Sequence, residues 1–485
     1  MPASIHLRSV ALALLGALFT PFPSAAETPT PARASSGAQT ASRPIPELPS
    51  IEYKLENGLN VVLSPDPAAP IVATEIVYMV GSGHEPRGKT GFAHLFEHLM
   101  FQGSKHFNTE YFTPFEPIGA EVNGTTNNDR TNYYEHVPRQ FAELTLWMES
   151  DRMRSLVDVL DQTKLDNQRD VVKNERRERY EMSPYGMAFW HMGEALYPPG
   201  HPYRHSPIGS HEDLTNASLE DVRAFFRKYY VPANAVLVIA GGFEEAEMRG
   251  LVEKYFGDIP GGSRAPRPEI PKSAEPSVRP DRIHWMVEDQ IQLPRVYLAF
   301  DSPALFEPLD AELDLLSNIL ADGKSSRLYQ SLVYTQKLAK DIDAYQISRD
   351  LAGVFVIQAT LAPGVSLETF GPALERELMR ALETEPTEAE LVRAKNAFKK
   401  DFYHRIESVG DRASLLGAYA TKLGRADGLA YDYERYVNAT AQSVLSAGKE
   451  ILLMDRSVRL DFVPGKRGAP IQDLTPKSPR QETQK

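Results

Sequence analysis

Residues 90–103 read TGFAHLFEHLMFQG and contain His94, Glu97 and His98 in the pattern HxxEH. If this stretch is helical, His94 and His98 lie on one face with their Cβ atoms roughly 6 Å apart, so their imidazoles can share one metal ion. Glu97 lies about 100° round the helix from His98, which directs its carboxylate beside the metal, where a metal-bound water would lie. The stretch therefore predicts a metal site with a general base for hydrolysis.

The flanking residues favour a buried helix, because apolar side chains occur on more than one of its faces. They are Phe92, Leu95, Phe96, Leu99, Met100 and Phe101. A polar trio in so apolar a helix needs a partner, and a metal supplies one. The alternative is a pair of core histidines satisfied by Glu97 and backbone carbonyl groups, and the stretch alone leaves that alternative open.

Length, charge and composition narrow the class of protein. The chain has 485 residues, 42% of them hydrophobic, which allows a large core and roughly two to four domains. Its formal net charge is −12, and it has no basic stripe with interleaved aromatic residues, so we expect no nucleic-acid partner. It has no cysteine, which excludes a disulfide framework and a lipidated cysteine.

The N-terminus resembles a secretory signal. Arg8 precedes an apolar run at 10–19 that is too short to span a bilayer comfortably, and residues 24–26 (SAA) suit cleavage. We predict a cleaved signal peptide over 1–26, with an uncleaved anchor as the alternative, and no stable membrane insertion after cleavage. Residues 27–46 are rich in Pro, Ala, Ser and Thr and predict a disordered linker. Export across the inner membrane, to a periplasm, is the expected localisation.

The order of elements repeats along the chain. Residues 47–262 are predicted to run strands, helix, strand, helices and strand, and 281–465 repeat that order after a proline-rich linker at 263–280. We therefore predict an α+β fold built from two copies of one unit. Residues 466–485 are polar and predict a disordered tail.

Local patterns predict individual elements. Asn57-Gly58 is a hairpin signal, residues 119–138 predict two strands, residues 161–182 predict a long charged helix, and Ser218 is a predicted helix N-cap. We call residues 47–262 the first part of the chain and residues 281–465 the second part. In the second part the expected elements are strands near 282–301, a helix at 309–334, a strand at 351–362, helices at 367–383 and 387–422, and a strand at 458–464.

A catalytic zinc site usually has three protein ligands and one open position, so a third ligand is required. His201 and His205 in HPYRH are spaced i, i+4, but the surrounding prolines and glycine prevent a helix there. Carboxylates on the predicted helix 161–182 are better candidates, and Glu175 and Glu178 lie one turn apart on it. Residue types alone do not choose between these two.

The chain resembles the pitrilysin/insulinase family of inverted-motif zinc metallopeptidases, bacterial two-domain type, over roughly residues 50–465. Besides HxxEH and NERRERY (174–180), the resemblance is carried by the glycine-flanked strand before HxxEH, by GAEVNGTTNNDRTNYYEHVP (119–138), and by HPYRHSPIGSHEDL (201–214) ahead of the 229–241 strand. It implies an α+β fold of two homologous α/β-roll domains, each an antiparallel-rich sheet flanked by helices, that together form half of a clamshell chamber.

The resemblance also implies roles for the site residues. His94, His98 and Glu175 would bind one Zn²⁺ per chain, and Glu97 would activate the zinc-bound water. Glu178 would lie in the outer shell of the site or face solvent.

The implied function is a zinc-dependent endopeptidase that hydrolyses peptides or small unfolded proteins. Asn123 and Gly124 would lie in an edge strand that binds the extended substrate by strand addition, although a simple turn is an alternative for this pair. The alternatives for the whole chain are a non-catalytic assembly or structural subunit, and a maturation protease dedicated to one peptide precursor.

The second part departs from the family at SSRLYQSLVYTQKLAK (325–340). Active relatives commonly have an arginine and, seven residues on, a tyrosine that hold the substrate; here these positions are Val333 and Lys340. The departure suggests the zinc-bearing member of a heterodimer whose homologous partner lacks HxxEH but supplies the Arg/Tyr pair. The alternative is that this chain acts alone or as a homodimer and that one of its own residues replaces the Arg/Tyr pair in holding the substrate. The candidates are Arg327, Tyr329, Tyr334 and Tyr345.

Overall fold

The computed structural model describes residues 47–272 and 282–476. The predicted signal peptide and the linker at 27–46 therefore lie outside the described residues. Residues 260–271 contain neither helix nor strand. Among the described helices, none combines the length and the apolar character needed to cross a membrane.

The first sheet contains six strands in the order β1-β2-β6-β3-β5-β4. They are β1 (Ile51–Lys54), β2 (Asn60–Pro65), β3 (Ile71–Tyr78), β4 (Glu121–Thr126), β5 (Thr131–Pro138) and β6 (Ala235–Gly241). Only β2 and β6 pair in parallel. Gly58 adopts φ +91° in the turn between β1 and β2, a conformation that glycine adopts without steric cost. Strand β4 is an edge of this sheet.

The second sheet also has six strands, in the order β12-β7-β11-β8-β10-β9. They are β7 (Ile283–Asp289), β8 (Arg295–Ser302), β9 (Ala339–Ile347), β10 (Gly353–Leu361), β11 (Val458–Pro464) and β12 (Gln472–Asp473). Strand β11 is parallel to β7 and antiparallel to β8, as β6 is to β2 and β3. The shared order confirms the predicted α+β fold with two copies of one unit.

Helices flank both sheets. In the first part they are α1 (Phe92–Leu99), α2 (Ala142–Val159), α3 (Gln162–Glu175), α4 (Ala188–Leu196), α5 (His211–Asn216), α6 (Leu219–Tyr229) and α7 (Glu245–Phe256). In the second part they are α8 (Asp310–Ala321), α9 (Leu367–Ala381), α10 (Glu388–Glu407), α11 (Val409–Lys422), α12 (Leu429–Asn438) and α13 (Ala441–Ile451). Ser218 accepts the Asp221 N–H at the start of α6, which confirms the predicted cap.

The two parts of the chain exchange helices. Helix α11, from the second part, packs Val409, Ala413, Leu416 and Ala420 on the face of the first sheet formed by Val62, Ala73, Val236, Val238 and Ala240. Helix α4, from the first part, packs Ala188, Met192, Ala195 and Leu196 on the second sheet, against Val354, Val356, Val458 and Leu460. Each sheet therefore completes its core with residues from the other part.

Two predicted helices are interrupted. The predicted helix 309–334 ends at Ala321, and Gly323 turns the chain with φ +73° before a π-helix at Tyr329–Thr335. The predicted helix 387–422 stops at Glu407, because Ser408 caps α11 by accepting the Asp411 N–H. Both breaks follow from local signals that helical periodicity alone does not reveal.

Two further predictions fail around the second sheet. Strand β9 is an element that the sequence analysis does not predict, because charged residues interrupt its apolar pattern; of its nine residues, Lys340 and Asp343 are exposed. The predicted disordered tail at 466–485 is wrong as far as residue 476, because β12 pairs with β7 and Arg467 Nε donates to Asp289 Oδ1 at 2.6 Å. Residues 477–485 lie outside the described residues.

Candidate metal centre

Helix α1, which carries HxxEH, is held at its N-terminus by a buried carboxylate. Glu85 Oε1 accepts the Ala93 N–H at 2.8 Å, and Glu85 Oε2 accepts the Gly91 N–H at 3.0 Å. A carboxylate at this place satisfies backbone donors that a helix leaves unpaired and faces the positive end of its dipole. His205 Nε2 lies 2.9 Å from Glu85 Oε2, so the loop 201–205 supports the helix instead of binding a metal with it.

The apolar face of α1 fixes the rotation of the helix. Phe92, Leu95, Phe96 and Leu99 are buried in the first core, and Phe96 stacks on Phe225 of α6. With these side chains in the core, the polar residues of HxxEH face α3 and β4. The predicted buried helix is thus confirmed, and its burial gives the polar residues one defined direction.

His94, His98 and Glu175 meet at the end of α3. Glu175 Oε2 lies 3.6 Å from His94 Nε2 and 3.3 Å from His98 Nε2. One ligand atom from each of the three residues lies within 4.8 Å of the other two. The two imidazole rings are 4.8 Å apart and nearly perpendicular, at 79°. Among the described residues, this is the one group of three or more His, Asp or Glu side chains that could hold a metal ion.

The surroundings keep His94 and Glu175 in their metal-binding protonation states. Burial, helped by the neighbouring His98, lowers the pKa of His94 to about 3, so its imidazole is neutral near pH 7. Burial alone would raise the pKa of Glu175, but the hydrogen bond with His98 and the charges of His94, His98 and Arg179 lower it to about 2. Neutral imidazole and ionised carboxylate are the forms that bind metals.

Glu97 lies beside the cluster and is buried. Burial raises the pKa of its carboxyl group, while a hydrogen bond from Thr126 on β4 acts in the opposite direction. Its Oε2 has no hydrogen-bond partner among the described residues. A carboxylate with a raised pKa and a free oxygen is suited to accept a proton near neutral pH.

The donor set fits a zinc ion. Two imidazole nitrogens and one carboxylate oxygen form a ligand set known from catalytic zinc sites. Glu97 Oε2 is buried without a partner among the described residues, and such an atom usually marks a place where water or an ion binds. The residues present therefore fit a zinc ion, and Glu97 Oε2 is free to accept a hydrogen bond from a water molecule.

Asn123 and Gly124 lie in the edge strand β4 and pair with Tyr134 and Tyr133 of β5. The simple-turn alternative is therefore wrong for this pair. A Cβ on Gly124 would lie 3.0 Å from the Tyr133 ring, so a larger residue there would require the ring to shift. Asn123 Oδ1 accepts the Gly124 N–H at 2.8 Å. Because side chains alternate along a strand, Asn123 points to the opposite face from Thr126, the neighbour of Glu97.

Glu178, predicted to lie in the outer shell of the site or to face solvent, is solvent-exposed. It lies in a π-helix, Arg176–Glu181, that continues α3. Arg179 contacts the ligand set instead, with Nη1 at 2.7 Å from Glu175 Oε1. Sequence reasoning missed Arg179, although the i, i+4 spacing of a glutamate before an arginine is a recognisable signal.

In the second part, Val333 packs against the core and Lys340 is exposed. Four residues are candidates to replace the Arg/Tyr pair. Arg327 is held by other partners: its Nε donates to Glu390 Oε1 at 2.8 Å, and its Nη1 donates to backbone carbonyl groups. Tyr345 donates its hydroxyl to Gln358 at 3.2 Å and Tyr329 packs on the core, whereas Tyr334 is 70% exposed.

Two family models match the chain. The family model described as insulinase (peptidase family M16) matches residues 60–197, and the model described as peptidase M16 inactive domain matches residues 216–398. The zinc protease PqqE of Helicobacter pylori is 31% identical over 389 residues, which cover 79% of this chain and 85% of that protein.

Solved structures share the fold. A crystal structure of a protease from Helicobacter pylori superposes with a TM-score of 0.79 at 28% identity, covering 86% of this chain and 99% of that one. The crystal structure of pitrilysin superposes with a TM-score of 0.71 at 19% identity, covering 90% of this chain but 48% of pitrilysin. The fold of this chain thus corresponds to one half of a clamshell.

Proposed function

Because the chain belongs to the insulinase (M16) family of peptidases, we propose that it is a zinc-dependent endopeptidase acting on peptides or small unfolded proteins. The observation that carries the proposal is the convergence of His94 Nε2, His98 Nε2 and Glu175 Oε2, with the free Glu97 Oε2 beside them. The homologue from Helicobacter pylori bears the name zinc protease, which supports the same activity.

In this proposal His94, His98 and Glu175 hold one Zn²⁺, which supplies Lewis-acid activation of water and of the scissile carbonyl group. Glu97 accepts the proton of the attacking water and passes it to the leaving amine. The edge strand β4 offers backbone groups at Asn123 and Gly124 to an extended peptide. Glu97 and the peptide would then lie on the same side of α1, next to Thr126.

Metal dependence tests the activity. We expect the purified protein to cleave internally quenched peptides, to lose cleavage after chelation, and to regain it when Zn²⁺ is restored. Mass spectrometry of the products should show cleavage at internal peptide bonds. Cleavage that persists after complete removal of metal would contradict the proposal.

A homologous partner subunit completes the proposed enzyme. The chain superposes on 48% of pitrilysin, which supports a second, homologous half on the other side of the chamber. Val333 and Lys340 occupy the places where the resemblance expects substrate-holding arginine and tyrosine, and Arg327 is engaged elsewhere. Purification from the native source should yield a second, homologous chain that raises activity. A fully active single-species homodimer would contradict this part of the proposal.

We further propose export across the inner membrane, with a periplasmic location. The support is the predicted signal peptide at 1–26. Sequencing the N-terminus of the native protein should show a start near residue 27, and an intact N-terminus on a cytoplasmic protein would contradict this location.

A further inference from the structure

The two oxygens of Glu175 have different partners. Oε2 faces both histidines, at 3.3 Å from His98 Nε2 and 3.6 Å from His94 Nε2. Oε1 faces away from them and accepts a hydrogen bond from Arg179 Nη1 at 2.7 Å. The side chain of Glu175 is 16% exposed, whereas that of Arg179 is 42% exposed. The ligand carboxylate therefore has one oxygen for the metal and one for the arginine.

Local sequence fixes this arrangement. Glu175 ends α3, and Arg179 follows four residues later in the π-helix Arg176–Glu181. The turn is anchored by Arg176, whose guanidinium lies 4.3 Å over the Trp190 ring and whose Nε donates to Glu181 Oε1 at 2.8 Å. A π-helical segment directly after a functional residue is a recurrent feature of such sites. Arg179 is thus presented to Glu175 by an anchored turn.

The geometry points to Arg179 as a positioning residue that keeps Glu175 a ligand through Oε2 alone; this inference rests on the proposed zinc site. A charge-assisted hydrogen bond to Oε1 fixes the carboxylate rotamer and engages the second oxygen. That leaves one coordination position for the water that Glu97 deprotonates. Partners of metal ligands commonly orient the ligand in this way.

Cobalt(II) bound at the site reports whether Glu175 binds through one oxygen or two, because the visible absorption of cobalt(II) weakens as the number of its ligand atoms rises. We expect Arg179→Ala to bind one cobalt per chain with weaker visible absorption than the unchanged protein, since Glu175 can then offer both oxygens. Arg179→Lys, which retains a donor, should restore most of the intensity. Arg177→Ala is the matched control, because Arg177 is exposed and donates to Asn174 Oδ1 instead.

Identical cobalt spectra for Arg179→Ala and the unchanged protein would overturn the inference while leaving the proposed zinc site intact. Equal weakening in Arg177→Ala would also overturn it, because the effect would then belong to the turn as a whole. Failure of the unchanged protein to bind cobalt would overturn both the inference and the proposed function. Circular dichroism of each variant verifies that the fold is retained.

Discussion

Glu175 and Glu178 are three residues apart and chemically identical, yet they face different surroundings. Glu175 is mostly buried against two histidines, and its pKa is lowered to about 2 by their proximity and by Arg179 despite its burial. Glu178 projects into solvent from the following π-helical turn. Position relative to α1, which is set by tertiary packing, thus separates a metal ligand from a surface charge.

This contrast gives a matched pair of variants. We expect Glu175→Gln to weaken zinc binding by more than the roughly 10–100-fold that loss of an outer-shell partner costs, because an anionic ligand atom is lost. Glu178→Gln should bind zinc as the unchanged protein does. Competition with a chelating dye measures both affinities, and equal loss in the two variants would show that general charge, not ligation, governs binding.

The site could be predicted from sequence only as far as it is local. His94, Glu97 and His98 lie within one helical turn and a half, so their shared face follows from helical geometry. The choice of Glu175 over Glu178 required the family resemblance, because the contact between α1 and α3 spans about 80 residues. The roles of Glu85 and Arg179 depend on directions of individual side chains, which spacing does not determine.

At the scale of elements, helix α1 depends on a partly buried hydrogen-bonded pair. Glu85 and His205 join the N-terminus of α1 to the loop before α5. Burial alone would lower the pKa of His205, but the hydrogen bond and charge of Glu85, with help from Ser82 and Asp213, raise it above 6.5. The protonated imidazole is therefore favoured in the folded protein.

Stability should depend on pH through this pair. A raised pKa in the folded state adds stability that is fully present below the unfolded value of about 6.5 and is lost as pH rises through the folded value. We expect the free energy of unfolding to fall between pH 6 and 8 by more in the unchanged protein than in His205→Gln, as measured by urea denaturation. His404→Gln, at an exposed position, should follow the unchanged protein. Parallel curves for all three proteins would contradict this role of His205.

At the scale of the whole molecule, exchanged helices join the two sheets. The apolar faces covered by α11 and α4 would be open to water in either part alone. The duplication was visible in the order of predicted elements, since each sheet is built from local strand signals. The exchange of helices could not be predicted from the sequence, because the apolar pattern of a helix does not indicate which sheet the helix covers. The domain bounds at 47–262 and 281–465 stay a prediction.

Separated halves should therefore fail to fold independently. We expect residues 47–272 expressed alone to be insoluble or to bind a hydrophobic dye, since the face formed by Val62, Val236 and Val238 loses its cover. Co-expression with residues 282–476 should restore a soluble, folded complex. A dye-free first half with a cooperative thermal transition would show that the exchange is dispensable.

The most direct test of a zinc peptidase built on HxxEH compares Glu97→Gln with the unchanged protein, measuring peptide hydrolysis and zinc content on the same samples. The amide keeps the shape of the side chain but cannot accept the proton. We predict a loss of activity of at least about a hundredfold, the lower range for general-base catalysis, with zinc content unchanged. Undiminished hydrolysis by Glu97→Gln with zinc still bound would contradict the assignment of Glu97 as the base.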